Sequence, residues 1–282
     1  MGTFGWTDAG ERPVDPDTRI SNSHSMNRTG TIGVISALWA ILFTLPAIAA
    51  DGAMPDGFVY LRDVAPSIRQ EMRYAGSKNF TGEPVPGYEA AECILARPAA
   101  EALKAVQAEI QSDGLSLKVY DCYRPKRAVA AFVEWAKAPD DPQAKREYYP
   151  SLSKDALFPA YIATRSGHSR GATVDLTLVP GDAPAEAMVT QQRVACTQAD
   201  PSDDSLDMGT SFDCFDTKAN TAAPGLTAEE RQNRQRLVEV MAAHGFRNYP
   251  KEFWHYTFRP EPYPSTYFDF PILPRPTSGG AK

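Results

Sequence analysis

Three segments of the chain have the residue patterns of helices. Within residues 98–112, large apolar side chains recur at intervals of three and four residues: Leu103, Val106 and Ile110. Because such positions share one helical face, a helix is predicted there, with Pro98 in its first turn. Residues 126–137 repeat this spacing and predict a second helix. The sequence Thr-Ala-Glu-Glu at 227–230 is a capping box, which predicts the start of a third.

Short apolar or alternating segments predict the strands. Residues 115–120 alternate apolar with polar side chains, which indicates a strand with one buried face. Further strands are predicted at 57–61 and 173–179, and a strand or hairpin at 246–258. Residues 66–74 are predicted to form one or two helical turns.

These elements mix helices and strands without a regular β-α-β order, so the predicted fold class is α+β. We expect a single domain over residues 50–282, with a small antiparallel sheet flanked by helices. Long irregular insertions are expected at 139–164 and 180–226. From about residue 260 the chain is rich in proline, which predicts an extended tail on the surface.

The first 49 residues have the organisation of an export signal. Residues 1–25 are polar and are interpreted as a non-native or disordered extension. Residues 32–45 are apolar, but fewer than the ~20 residues that a membrane-spanning helix needs. The small-x-small sequence at 47–49 is typical of a cleavage site. We predict a signal peptide over 26–49 and a periplasmic or secreted protein without stable membrane association; the alternative is an uncleaved anchor.

The charge balance excludes one class of partner. The formal net charge is −6, whereas nucleic-acid-binding domains usually carry a basic stripe. Hydrophobic residues make up 43% and charged residues 23%, an ordinary globular composition. We therefore predict a globular protein without a nucleic-acid partner.

Four cysteines are consistent with export. None of them belongs to a CxxC pair, and an oxidising compartment favours disulfides. Four cysteines allow three pairings. The favoured one joins nearest neighbours, Cys93 with Cys122 and Cys196 with Cys214; the alternative is four buried thiols.

Two polar segments can supply a metal site. His168 and Asp175 flank a glycine-containing turn that leads into a predicted strand, so both side chains can return to one point. His255 offers a third ligand, and a catalytic zinc site uses three protein ligands and leaves one position for water. Glu252 precedes His255 by three residues, so the two side chains share a face only if the strand bulges. Each residue alone has a structural explanation, such as a loop or strand end; together they predict a metal site.

The same segments resemble a known family. Residues 166–175 read S-x-H-x-x-G-x-A-x-D and residues 252–255 read E-x-W-H, as in the zinc D-Ala-D-Ala peptidases. Other segments resemble the D-alanyl-D-alanine dipeptidase branch, of the vancomycin-resistance type, more than its carboxypeptidase relatives: 73–75 (RYA), 79–82 (NFTG), 120–125 (YDCYRP) and 207–213 (DMGTSFD). The stretch between Asp175 and Asp213 is longer than in compact members of the family.

The resemblance implies a role for each matching residue. One zinc ion is expected to be bound by three residues: His168, Asp175 and His255. Glu252 is expected to take a proton from the attacking water and pass it to the leaving amine. Arg124 is expected to stabilise the oxyanion of the tetrahedral intermediate. Three residues are expected to hold the substrate: Tyr74, Ser166 and Asp213. Asp213 is the expected partner of the substrate's ammonium group.

The implied function is hydrolysis of a small substrate, D-alanyl-D-alanine or a related D,D-dipeptide, in the space of the cell wall. Two alternatives stay open. One is a D,D- or L,D-carboxypeptidase that acts on longer peptidoglycan peptides. The other is a non-catalytic module that binds wall peptides around a structural metal.

Overall fold

A five-stranded sheet lies at the centre of the computed structural model, which describes residues 52–181, 194–198 and 203–276. The predicted extension and signal peptide fall outside the described residues. All described residues belong to one compact unit. In that part of the chain, no helix has the length and apolar character needed to cross a bilayer.

Seven strands occur in the described part of the chain: β1 (Phe58–Tyr60), β2 (Arg69–Gln70), β3 (Ile94–Ala96), β4 (Leu115–Asp121), β5 (Thr173–Pro180), β6 (Phe246–Tyr249) and β7 (Glu252–Phe258). The described α-helices are α1 (Leu61–Val64), α2 (Arg97–Gln111), α3 (Lys126–Lys137), α4 (Pro142–Tyr148) and α5 (Ala228–Ala243). The predicted helices correspond to α2, α3 and α5, and the capping box of α5 is formed by Thr227 and Glu230.

The large sheet has the strand order β2-β4-β5-β7-β6, and β1 pairs with β3 in a separate two-stranded sheet. The α+β prediction is confirmed, but the large sheet is mixed because β2 runs parallel to β4. The helical prediction for residues 66–74 is wrong in its first part, since Arg69 and Gln70 pair with Lys118 and Val119. A 3₁₀ turn follows at Arg73–Ala75.

The prediction that β4 is half-buried is also wrong. Its polar positions are covered as well, and Lys118 is only 4% exposed. The Lys118 ammonium lies 2.7 Å from a carboxylate oxygen of Asp203 and also pairs with Asp204. A buried cation is stable only when it is paired. The connection after β5, which brings these aspartates, therefore covers the second face of the strand.

The C-terminal segment is extended, as predicted, but it is not confined to the surface. Phe270 and Ile272 are buried, and the ring of Phe270 stacks on Tyr123 at 4.0 Å between centroids. The backbone of Ile272 accepts a hydrogen bond from Glu89 N–H. Burial of two large apolar side chains fixes this segment against the core.

Both predicted disulfides are present, Cys93–Cys122 and Cys196–Cys214. The first ties the start of β3 to the end of β4. The second joins two points of the long connection after β5, Cys196 and Cys214, and Cys214 directly follows Asp213. Such bonds form in an oxidising compartment.

Candidate active site

The three predicted metal ligands meet at the ends of two neighbouring strands. Asp175 on β5 is the register partner of His255 on β7, and His168 lies in a 3₁₀ turn, Gly167–Arg170, just before β5. Asp175 Oδ2 lies 3.3 Å from His168 Nε2, and Asp175 Oδ1 lies 3.1 Å from His255 Nδ1. One ligand atom from each side chain lies within 4.8 Å of the others. The arrangement can hold a metal ion.

Gly171 makes this approach of His168 to Asp175 feasible. It ends the 3₁₀ turn with φ of 76°, in the left-handed region that favours glycine. A Cβ atom there would clash with the Phe58 ring. The backbone can thus reverse tightly between the two candidate ligands.

The hydrogen bonds of His168 leave the correct nitrogen available for a metal. Its Nδ1 lies 2.7 Å from the carbonyl oxygen of Cys122, which can only accept, so Nδ1 carries the hydrogen. The lone pair of Nε2 then faces His255 Nδ1 at 3.4 Å. Two imidazole nitrogens and a buried carboxylate are a donor set that suits zinc, and a hydrogen bond from the other ring nitrogen is usual for such ligands.

A bulge in β7 places Glu252 on the same side as His255, as the sequence required. Asn248 pairs with Tyr256, but the next residue of β6, Tyr249, pairs with Glu252. The extra residues on β7 break the two-residue alternation of the strand. Glu252 Oε2 consequently lies 3.3 Å from His255 Nδ1.

Asn248 holds this bulge, and sequence reasoning missed it. Its Nδ2 donates to the carbonyl oxygens of Glu252 at 3.0 Å and His255 at 3.1 Å, and lies 3.4 Å from that of Phe253. Thr221 Oγ1 donates to Asn248 Oδ1 at 2.6 Å, which orients the amide. Nothing in the sequence distinguishes this asparagine from one on an exposed hairpin.

Glu252 has the electrostatics of a group that exchanges protons near neutral pH. The pKa of Glu252 is raised to about 7, chiefly by burial; the charge of Asp175 adds to the increase, and His255 and Arg124 oppose it. A carboxyl group with a pKa near the working pH can both accept and return a proton.

Arg124 reaches the site from the end of β4 and is held by Asp121. Its Nε donates to Asp121 Oδ2 at 2.9 Å, and its Nη2 lies 3.6 Å from Asp175 Oδ2. Tyr88 donates its hydroxyl hydrogen to the other oxygen of Asp121 at 2.6 Å. Asp121 lies in the segment 120–125 that resembles the family, but neither Asp121 nor Tyr88 was assigned a role from the sequence.

Asp213 and Tyr74 form a buried polar pair on the same cavity. The Tyr74 hydroxyl lies 2.9 Å from Asp213 Oδ2 and donates to this carboxylate. Burial, reinforced by the charge of Asp175, raises the pKa of Asp213 well above its usual range. Asp213 also has φ of 60°, which an aspartate adopts more readily than most residues, and the disulfide at Cys214 follows directly.

All eight residues predicted for metal, catalysis and substrate line one cavity of 290 Å³. Ser166 contributes a hydroxyl that also accepts a hydrogen bond from the backbone of His168 at 3.3 Å. Aromatic side chains complete the wall, among them Phe132, Tyr161 and Trp254. The cavity is thus small, partly apolar, and rich in charged groups near the candidate metal ligands.

Comparison with known proteins agrees with this geometry. The family model described as D-ala-D-ala dipeptidase matches residues 54–190 and 186–273. The D-alanyl-D-alanine dipeptidase of Enterococcus faecium is 37% identical over 220 residues, which cover 78% of this chain and 100% of that relative. Relatives of the same name from Enterococcus faecalis and Streptomyces coelicolor are each 38% identical over 220 residues, again covering 78% of this chain and 100% of the relative. This chain therefore belongs to the D-Ala-D-Ala dipeptidase family of M15 peptidases and is a metallopeptidase.

Proposed function

We propose that this enzyme hydrolyses D-alanyl-D-alanine to free D-alanine with one zinc ion bound by His168, Asp175 and His255. The observation that supports this most is that the eight residues matching the family's motifs line a single cavity. The 37–38% identity to curated D-alanyl-D-alanine dipeptidases supports the same substrate.

Zinc held by these three residues would lower the pKa of a bound water to ~7 and would polarise the scissile carbonyl. Glu252 is the proton carrier in this proposal. Its carboxylate takes a proton from the attacking water and then donates it to the nitrogen of the leaving D-alanine. The position of Glu252 beside His255 and its pKa near neutrality support both halves of this cycle.

Arg124 stabilises the negative charge that develops on the carbonyl oxygen during attack. Its side chain is 12% exposed, so little water screens its charge. Asp121 holds the Nε side of the group, and Tyr88 in turn holds Asp121. A donor fixed in place before the reaction loses no free energy to reorganisation when the charge appears.

Asp213 and Tyr74 bind the ammonium group of the dipeptide, and Ser166 binds its carboxylate. The substrate ammonium would favour the ionised form of Asp213 and so offset the effect of burial. A site that requires a free ammonium distinguishes a dipeptidase from an enzyme that trims longer peptides.

The two disulfides support export, and so a role in turnover of D,D-dipeptides in the cell-wall space. The sequence of residues 26–49, interpreted as a signal peptide, supports the same location.

The test combines metal analysis with turnover by the purified full-length protein. We expect one zinc ion per chain and faster hydrolysis of D-Ala-D-Ala than of N-acetyl-D-Ala-D-Ala or L-Ala-L-Ala. Preference for the acetylated peptide would favour the carboxypeptidase alternative. Bound metal without turnover of any of the three would favour the binding module.

Replacing Asn248 by alanine is expected to lower kcat/KM for D-Ala-D-Ala by about tenfold or more. The change leaves partly buried carbonyl oxygens in the β7 bulge without this donor, a loss of about 1–3 kcal/mol, and tenfold corresponds to about 1.4 kcal/mol. A relaxed bulge turns Glu252 away from His255. Steady-state kinetics and thermal melting of the variant measure the effect.

Asn233→Ala is the matched control for this prediction. Asn233 also donates to a backbone carbonyl, that of Asp207 at 2.8 Å, but it lies on the exposed part of α5. An Asn248→Ala enzyme as active as Asn233→Ala would contradict the proposed positioning role.

A further inference from the structure

A second groove adjoins the catalytic cavity, with a volume of 430 Å³. It lies between the start of α3, the turn that carries His168, and the C-terminal segment. Val129, Arg165 and Ser166 line both the groove and the catalytic cavity. The other groove residues are Lys126, Thr164, Ser169, Ser265 and Tyr267.

The groove is positively charged although the protein carries a net charge of −6. Lys126 and Arg165 are both exposed, and none of the groove residues is acidic. No carboxylate of the described residues is within 4.0 Å of either cation. The carboxylate of Glu261, on the C-terminal segment, is occupied by Arg170 and Arg259. Two cations on one groove, neither paired with a carboxylate of the described residues, favour an anionic ligand.

Ser169 supplies an independent observation. The residue is 1% exposed, and its buried Oγ has no hydrogen-bond partner among the described residues. Its backbone is held on both sides, since its N–H donates to Ser166 O and its carbonyl accepts from Phe268 N–H. Buried hydroxyl groups almost always have a partner. An oxygen of a ligand in the groove would provide one.

Arg165 also packs on an aromatic ring of the groove. Its guanidinium lies over the Tyr267 ring, 5.5 Å from the centroid, and the Tyr267 hydroxyl accepts a hydrogen bond from Arg170 Nη1 at 3.1 Å. A guanidinium so placed binds a carboxylate through two parallel hydrogen bonds.

We propose that this groove is a subsite for a carboxylate side chain on the C-terminal residue of the dipeptide, so that the enzyme also hydrolyses substrates such as D-Ala-D-Glu. The inference rests on the proposed function. The groove meets the catalytic cavity at Ser166, the residue assigned to the substrate carboxylate. Asp213 and Tyr74, assigned to the ammonium end, do not line it.

The test compares kcat/KM for three dipeptides: D-Ala-D-Glu, its neutral isostere D-Ala-D-Gln, and D-Ala-D-Ala. The wild-type enzyme is expected to prefer D-Ala-D-Glu to D-Ala-D-Gln by about tenfold, the effect of one charge-assisted contact. Lys126→Gln is expected to reduce this preference severalfold with D-Ala-D-Ala turnover unchanged. Arg165→Gln is expected to abolish the preference.

Lys104→Gln, at an exposed lysine of α2, is the matched control and should behave as wild type. If D-Ala-D-Ala is hydrolysed but D-Ala-D-Glu and D-Ala-D-Gln react at equal rates, the groove is not a carboxylate subsite and the proposed function stands. The same conclusion follows if Lys126→Gln and Arg165→Gln keep the wild-type preference. If no dipeptide is hydrolysed, the proposed function itself fails.

Discussion

Replacing Glu252 by glutamine is expected to lower kcat for D-Ala-D-Ala hydrolysis by about 10²–10⁴-fold, the range that general acid–base catalysis contributes. Glutamine has the size of glutamate but cannot take a proton from water. The side chain is close to His255 without belonging to the three candidate metal ligands. Zinc content and fold should therefore be retained while turnover is lost.

Three measurements on the Glu252→Gln protein check this result: kcat, zinc per chain, and thermal melting. Glu134→Gln is the control, since Glu134 is exposed on α3 and, within the described part of the chain, forms an ion pair with Lys137 alone. Turnover within a fewfold of wild type, with zinc bound, would show that another group moves the proton. Loss of zinc together with activity would place Glu252 among the ligands instead.

Replacing Arg124 by methionine is expected to lower kcat by about 10²–10³-fold, as removal of one fixed oxyanion donor does in other hydrolases. The effect should fall on kcat more than on KM, because the charge on the carbonyl oxygen is present only in the transition state. Methionine keeps most of the packing against the Tyr74 and Phe132 rings, which lie 5.2 and 5.0 Å from the guanidinium carbon.

Arg124→Lys separates the role of charge from that of geometry. Lysine keeps a cation beside Asp121, which is fully buried and would otherwise lack its main partner. It loses the paired contact that Nε and Nη2 of Arg124 make with Asp121 Oδ2. We expect activity between those of wild type and Arg124→Met. Arg127→Met, at an exposed arginine bound to Asp269, is the control. A change in KM alone for Arg124→Met would indicate a substrate-binding role rather than an oxyanion role.

Local sequence pattern was sufficient to predict the elements in which apolar residues are regularly spaced. The predicted helix at 126–137 coincides with α3, because its apolar spacing and the preceding Pro125 act within a few residues. The glycine-containing turn before Asp175 was also predictable, since glycine adopts positive φ most readily, as Gly171 does. The requirement for a bulge between Glu252 and His255 followed from the two-residue period of a strand alone.

The prediction for β4 failed because burial depends on partners that are distant in the chain. Lys118 alternates with apolar residues as a solvent-facing lysine would, and only the arrival of Asp203 and Asp204 from the next connection allows it to be buried. The C-terminal segment was mistaken for a surface tail for the same reason. Its prolines correctly indicated an extended chain, but nothing local reveals that Phe270 meets Tyr123.

The sequence by itself determined the fold class, the family resemblance and the residue types available for disulfides and for a metal site. Tertiary structure alone decided how those residues are held. Asn248 and Asp121 became recognisable as supports of Glu252 and Arg124 only when their hydrogen bonds could be measured. A side chain's chemistry is local, but its orientation and its exposure to water depend on contacts between segments far apart in the chain.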